Sequence, residues 1–130
     1  MILLDTDICV ELLRGNPAMF RKKEAYPDVT AVSFMTAAEL HYGAAFSGYP
    51  EASIKAVEAF LSSMNVLRSS DSVMRSFGTI KAGLRRKRIL IPDADLFIGA
   101  TAVAHGVPLV TGNTKHFSRI EGLELEDWTH

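Results

Sequence analysis

Five acidic side chains stand where apolar stretches begin or end: Asp5 and Asp7 in MILLDTDICV, Glu39 in SFMTAAELHYG, Asp93 and Asp95 in IPDADLFIGATAVAHG. Carboxylates gathered at one place repel, by about 4 kcal/mol at 4 Å and an effective dielectric near 20. Protonation or a bound cation offsets that repulsion. Hard divalent ions such as Mg²⁺ take oxygen ligands and retain several waters, so a solvent-facing carboxylate cluster suits them. Over a phosphodiester, such an ion polarises a phosphoryl oxygen and lowers the pKa of an attacking water. No nucleophilic side chain is then needed.

Each acid also has a plainer use. Asp5, Thr6 or Asp7 is placed to cap a first helix, and Asp93 to cap the helix it heads. Thr36-Ala-Ala-Glu39 has the spacing of a capping box. Taken singly, Asp7 and Asp93 read as caps and Glu39 fits either role. Asp5 and Asp95 read as functional. Asp95 lies beyond the cap on an otherwise apolar helix, where an unpaired buried carboxylate is costly.

The elements that position these residues alternate between strand and helix. Ile2 to Leu4 forms an apolar run without alternation, as in a parallel strand covered on both faces. Val29 to Val32, Leu109 to Thr111 and Leu123 to Leu125 give three further strands. Helices are expected over 8–13, after Pro17, over 35–47, 51–64 and 71–87, and from Asp93 to a C-terminal glycine at Gly106. The last of these is apolar nearly all round and is expected to be buried. This order predicts one α/β domain over 1–130, with a mainly parallel central sheet flanked by helices. In such sheets ligands gather beyond the carboxyl ends of the strands, where Asp5 and Asp7 fall.

Composition narrows the class. With 48% apolar residues and no low-complexity tract, the chain has the makings of a folded core. Cys9 is the only cysteine, which excludes internal disulfides and cysteine-based zinc sites and suits a reducing cytoplasm. No apolar run approaches membrane-spanning length, and MILL meets Asp5 too soon for a signal peptide. A soluble cytoplasmic protein is expected.

The net charge of −1 leaves nucleic-acid binding to uneven distribution. Arg75, Lys81, Arg85, Arg86, Lys87 and Arg88 cluster in sequence, and Glu121, Glu124, Glu126 and Asp127 make the tail acidic. Helical spacing puts Lys81, Arg85 and Arg88 on one face, where a phosphate backbone could lie; a solvated surface helix explains them equally well. His41, His105 and His130 read as bystanders. Trp128 is expected to pin the tail, and Met19, Met35, Met64 and Met74 to fill core or groove.

Together, LLDTDI, TAAELHYGA, PDADLFIGATAVAHG and LVTGNTKHF resemble, in order and spacing, the PIN-domain ribonucleases, specifically the VapC toxins of bacterial toxin–antitoxin pairs. The resemblance implies a PIN-like three-layer fold in which Asp5, Glu39 and Asp95 are catalytic acids holding Mg²⁺ or Mn²⁺. Thr6 matches the small hydroxyl residue beside the first acid, and Asp7 stands where Asn is commoner. The family's fourth acid falls at Asn113 or His116, and neither is acidic here. Asn113 offers a carbonyl oxygen; His116 offers a ligand for a softer ion or a phosphate contact. Asp93 or Asp7 is placed to compensate in part.

The resemblance further implies a toxin that cuts structured RNA, often tRNA, for which the basic stretch with Lys81, Arg85, Arg86 and Arg88 offers candidate backbone contacts. It implies a VapB-type antitoxin laid over the acidic groove, DNA contact only through that antitoxin, and a homodimer. Two other readings stand beside it. One is a degenerate module that binds RNA or antitoxin without cleavage. The other takes ILLDTD as the start of a haloacid-dehalogenase-like phosphatase with Asp5 as nucleophile.

Overall fold

Every strand of the sheet points the same way, and the chain reverses its direction of travel across the sheet at the strand that leads into Asp5. The computed structural model describes residues 1–129. In chain order the elements are β1 (Ile2–Leu4), α1 (Thr6–Leu13), α2 (Pro17–Ala25), β2 (Thr30–Ser33), α3 (Phe34–Ala45), α4 (Pro50–Ser62), β3 (Asn65–Leu67), α5 (Asp71–Arg86), α6 (Asp93–His105), β4 (Leu109–Val110), α7 (Thr114–Phe117) and β5 (Leu125–Glu126). The five strands run β3-β2-β1-β4-β5, all parallel. Strand order therefore reverses between β1 and β4, the place where open parallel sheets form a crevice.

Alternation along β1 divides the core in two. Ile2 and Leu4 join Ile8, Val32, Val57 and Trp128 on the face covered by α1 to α4. Leu3 joins Leu84, Leu96, Ile98, Leu109 and Phe117 on the face covered by α5 and α6. The result is the expected three layers. Trp128 is buried and donates its Nε1–H to Glu126, which fastens the chain beyond β5 to the body.

α6 is buried along most of its length, as its sequence requires, and ends at Gly106 with φ +63°. Its partner segment comes close: a methyl group at Gly99 would stand 2.7 Å from Ile120 Cδ1. Glycine thus lets α6 lie against the turn after α7. No helix among the described residues is long and apolar enough to cross a membrane.

Several expectations are corrected. Among the described residues there are five strands rather than four. Asn65–Leu67, which the sequence left unassigned, forms edge strand β3, too short to show a period of its own. The helix after Pro50 stops at Ser62, β4 ends at Val110, β5 occupies 125–126, and the one-turn α7 had no signal. Met74 is exposed rather than core. His130 lies outside the described residues.

Candidate active site

Asp5, immediately after β1, is the N-cap of α1: its Oδ1 accepts from the Thr6 amide at 2.8 Å. Its other oxygen, Oδ2, accepts from Thr111 Oγ1 at 2.7 Å, across the β1–β4 switch point. With only 5% of its surface exposed, the carboxyl is pushed up to about 7, chiefly by burial and further by Asp7 and Asp95, against the lowering effect of the Thr111 and Thr6 bonds.

Asp7 does not cap the helix. Its Oδ2 accepts from the Gly112 amide at 2.9 Å, and burial raises its carboxyl above the ordinary range. A Cβ at Gly112 would stand 2.9 Å from Asp7 Oδ2, so a larger residue there would displace that carboxylate.

Glu39 is not part of a capping box. Ser33 caps α3 by accepting from the Thr36 amide at 3.0 Å, so Glu39 falls in the second turn. There its Oε1 accepts from Thr6 Oγ1 at 2.8 Å, and Thr6 Oγ1 also lies 3.0 Å from Thr36 Oγ1. Thr6 thus ties Glu39 to the residue beside Asp5.

Asp95, in the first turn of α6, meets His116 of α7, with Nδ1 3.0 Å from Oδ2. The same Nδ1 lies 3.0 Å from Asn113 Nδ2. One ring nitrogen cannot serve both at once. A proton given to the carboxylate leaves no lone pair for the amide, and the neutral ring then carries its lone pair on Nε2. Asn113 N–H donates to Thr111 Oγ1 at 2.9 Å. Thr111, Asn113 and His116 therefore form an arc running from Asp5 to Asp95.

Two expected contributors turn elsewhere. Asp93 is not the N-cap of α6; Pro92 holds that place, and Asp93 Oδ1 accepts from Lys81 Nζ at 2.8 Å. The pair is exposed and engages each charge with the other at the surface. The basic face is also shorter than helical spacing suggests: α5 ends at Arg86, and Arg88 lies beyond it with φ +60°. Arg85 lines a small hollow with Lys81 and Asp93, and Arg86 is exposed. Thr111 and Gly112 were not singled out by sequence, although TGN directly after an apolar strand marks a sheet edge, and Thr36 was read only as the cap of a capping box.

Among the described residues, no three His, Cys, Asp or Glu side chains are grouped closely enough to hold a metal ion as they stand. Asp95 is turned to His116 and Glu39 to Thr6. The donor chemistry nevertheless fits a hard divalent cation. The side chains at this end of the sheet offer carboxylate and hydroxyl oxygens with one imidazole, and the Asp5 carboxyl, raised chiefly by burial, is raised further by Asp7 and Asp95 beside it. Phosphatase chemistry at Asp5 finds no support, since no lysine is bonded to it; its partners are Thr6 and Thr111.

A parallel α/β sheet with acids at its switch point defines a class that the comparisons make explicit. The PIN domain model matches residues 2–123. The chain belongs to the PIN-domain family, and within it groups with the VapC ribonucleases. It is 35% identical over 127 residues to "Ribonuclease VapC2" of Haemophilus influenzae, covering 97% of this chain and 96% of that one. It is 34% identical over 128 residues to the "tRNA(fMet)-specific endonuclease VapC" of Shigella flexneri, covering 98% and 97%. Among solved structures, VapBC2 from Rickettsia felis bound to a promoter DNA fragment aligns at a TM-score of 0.92 and 32% identity, over 98% of this chain and 99% of that one.

Proposed function

We propose that this chain, acting as one domain over 1–130, is the toxin of a toxin–antitoxin pair and a metal-dependent endoribonuclease that cuts structured RNA, with tRNA as the favoured class. The observation that carries the reading is Asp5: a buried carboxyl at the carboxyl end of the central strand, raised to about 7 beside Asp7 and Asp95. Asp5, Asp95 and Glu39 would hold Mg²⁺ or Mn²⁺, with Asp95 leaving His116 to do so. A bound ion would polarise the phosphoryl oxygen and lower the pKa of the attacking water. The residues of the chain do the positioning. Thr111 and the Thr6 amide fix both oxygens of Asp5, Thr6 Oγ1 holds Glu39, and Gly112 holds Asp7 out of the cap. A VapB-type antitoxin is the partner, and DNA is met through it, as the solved VapBC complexes of relatives suggest.

The test pairs calorimetric Mn²⁺ titration with cleavage of a tRNA anticodon stem-loop. Asp5→Asn and Asp95→Asn should each lose cleavage and most of the ion binding while antitoxin binding persists. Undiminished cleavage in both variants would refute the assignment. One observation favours a second reading: Asp95 is already engaged by His116. A degenerate module would bind stem-loop or antitoxin yet show no Mn²⁺ binding that depends on Asp5 and Asp95.

A further inference from the structure

α5, the C-terminal half of α6 and the turn after α7 enclose a cleft of about 460 Å³ that none of the five acids discussed above lines. That volume lies within the roughly 300–1,000 Å³ typical of ligand sites. Three cations border it from separate places: Arg75 early in α5, Lys87 at its C-cap and Arg119 after α7. Among the described residues none of the three makes an ion pair, whereas Arg14, Lys23 and Lys81 all do. Glu121 also borders the cleft without coming within ion-pair distance of them. Ser76 and Thr79 add hydroxyls.

Gly83 is the second observation. It lies inside α5, where glycine costs about 1 kcal/mol relative to alanine. Packing does not ask for it, since a Cβ there would meet nothing within 4 Å. What its missing side chain leaves is an open wall to the cleft, where a ligand can approach the helix closely.

Unpaired guanidinium and ammonium groups with hydroxyls between them are the chemistry of phosphate oxygens. No aromatic ring lines the cleft, so nothing there stacks a base. Its position favours a polymer over a free anion. The Arg119 amide donates to the His116 carbonyl at 3.3 Å, and His116 touches Asp95. The cleft therefore begins one helical turn from the carboxylate site.

We propose that this cleft holds the sugar–phosphate backbone of the RNA substrate at a point apart from the bond that is cut, in a sequence-independent way. The proposal rests on the ribonuclease reading above. It makes the enzyme select RNAs long enough to reach both places.

The probe is a fluorescein-labelled RNA stem-loop with 2′-O-methyl sugars, which resists cleavage, titrated with the full chain in EDTA over a series of salt concentrations. The double variant Arg75→Gln/Arg119→Gln should bind about tenfold more weakly at low salt, and log K against log salt should flatten by about 1 to 2. Gly83→Leu, which fills the cleft without changing charge and improves helix propensity, should lose affinity while its thermal midpoint holds or rises. Wild-type affinity and slope in both variants would overturn the proposal, and cleavage of an unmodified stem-loop that is lost in Asp5→Asn and Asp95→Asn would leave the ribonuclease reading standing. Inorganic phosphate binding lost in the double variant, with RNA affinity intact, would assign the cleft to a free anion and also overturn it. Antitoxin affinity lost with RNA affinity intact would assign it to the protein partner, with the same consequence. Failure of the unaltered chain to bind the stem-loop in EDTA would overturn the proposal, and Mn²⁺-dependent cleavage of an unmodified stem-loop would still decide the ribonuclease reading.

Discussion

His116 Nδ1 stands 3.0 Å from Asp95 Oδ2, so one of the two positions, Asn113 and His116, at which the family resemblance leads one to expect a fourth acid holds instead an imidazole bonded to the third. The pair is only partly withdrawn from water, with the Asp95 side chain 21% and the His116 side chain 39% exposed. A contact of this kind holds the carboxylate in place and also competes with an ion for it.

Replacing the imidazole by a carboxylate should move the balance toward a hard ion. His116→Glu adds an oxygen donor within reach of Asp95, and Mg²⁺ prefers oxygen to nitrogen. Mg²⁺ affinity should rise by about tenfold, or about 1.4 kcal/mol. Without metal the variant should be less stable by about 1 kcal/mol, because two carboxylates then face each other near solvent. Calorimetric titration and chemical denaturation measure the two effects; an unchanged Mg²⁺ affinity would show that position 116 does not face the ion.

Asp5 gives the metal-free protein a distinctive pH profile. Its folded value of about 7 lies above the ordinary 3.8, so the folded state holds the proton more tightly than the unfolded chain does. Stability from this group is complete below pH 3.8 and is lost as pH rises toward 7, by about 4 kcal/mol at 1.36 kcal/mol per pH unit. Asp7, raised in the same direction, adds to the trend. In EDTA, Asp5→Asn should therefore be more stable than the unaltered chain at pH 8 and nearly equal to it at pH 4. Denaturation at the two pH values decides; a variant weaker at both would mean that the Thr6 and Thr111 bonds outweigh burial.

The hydroxyl of Thr6 is expected to act through Glu39. Thr6→Val keeps the shape and removes the 2.8 Å bond to Oε1, at a cost of about 1 kcal/mol in stability. Because Glu39 is then free to swing, kcat should fall about tenfold with KM for a stem-loop little changed, a loss of about 1.4 kcal/mol. Thr6→Ser should restore most of the rate. If serine fails to rescue, the methyl group rather than the hydroxyl carries the role.

What could be read in the sequence follows from how far each signal reaches along the chain. β1 is an aliphatic run of three residues, and α6 an apolar helix closed by Gly106; both are local patterns, and both lie where expected. The parallel α/β architecture followed from their alternation with other helices, and its PIN-like three-layer form from the family resemblance. β3 was lost because an edge strand of three residues, pairing with one neighbour, carries no period of its own. The site divides in the same way. Acids at strand ends were visible, but their partners were not, since Asp5 to Thr111 spans 106 positions and Asp95 to His116 spans 21. Asp93 read as a cap because Asp commonly is one, and only the packing of α5 on α6 brings Lys81 to it.

Ser33 and Glu39 separate the two readings of the third acid in one experiment. In a capping box the glutamate stabilises the start of its helix. Here Ser33 Oγ accepts from the Thr36 amide, and Glu39 lies beyond that turn. Ser33→Ala should destabilise the protein by about 1 kcal/mol, more if the buried Thr36 amide finds no other partner. Glu39→Gln should leave stability within about 0.5 kcal/mol, because the amide oxygen still accepts from Thr6. Its cleavage rate should nevertheless fall at least about a hundredfold, or about 2.7 kcal/mol in barrier, as expected when one carboxylate is withdrawn from an ion site. Urea denaturation and stem-loop cleavage, run side by side, test this. A Glu39→Gln variant that loses stability but keeps its rate would return Glu39 to a structural role.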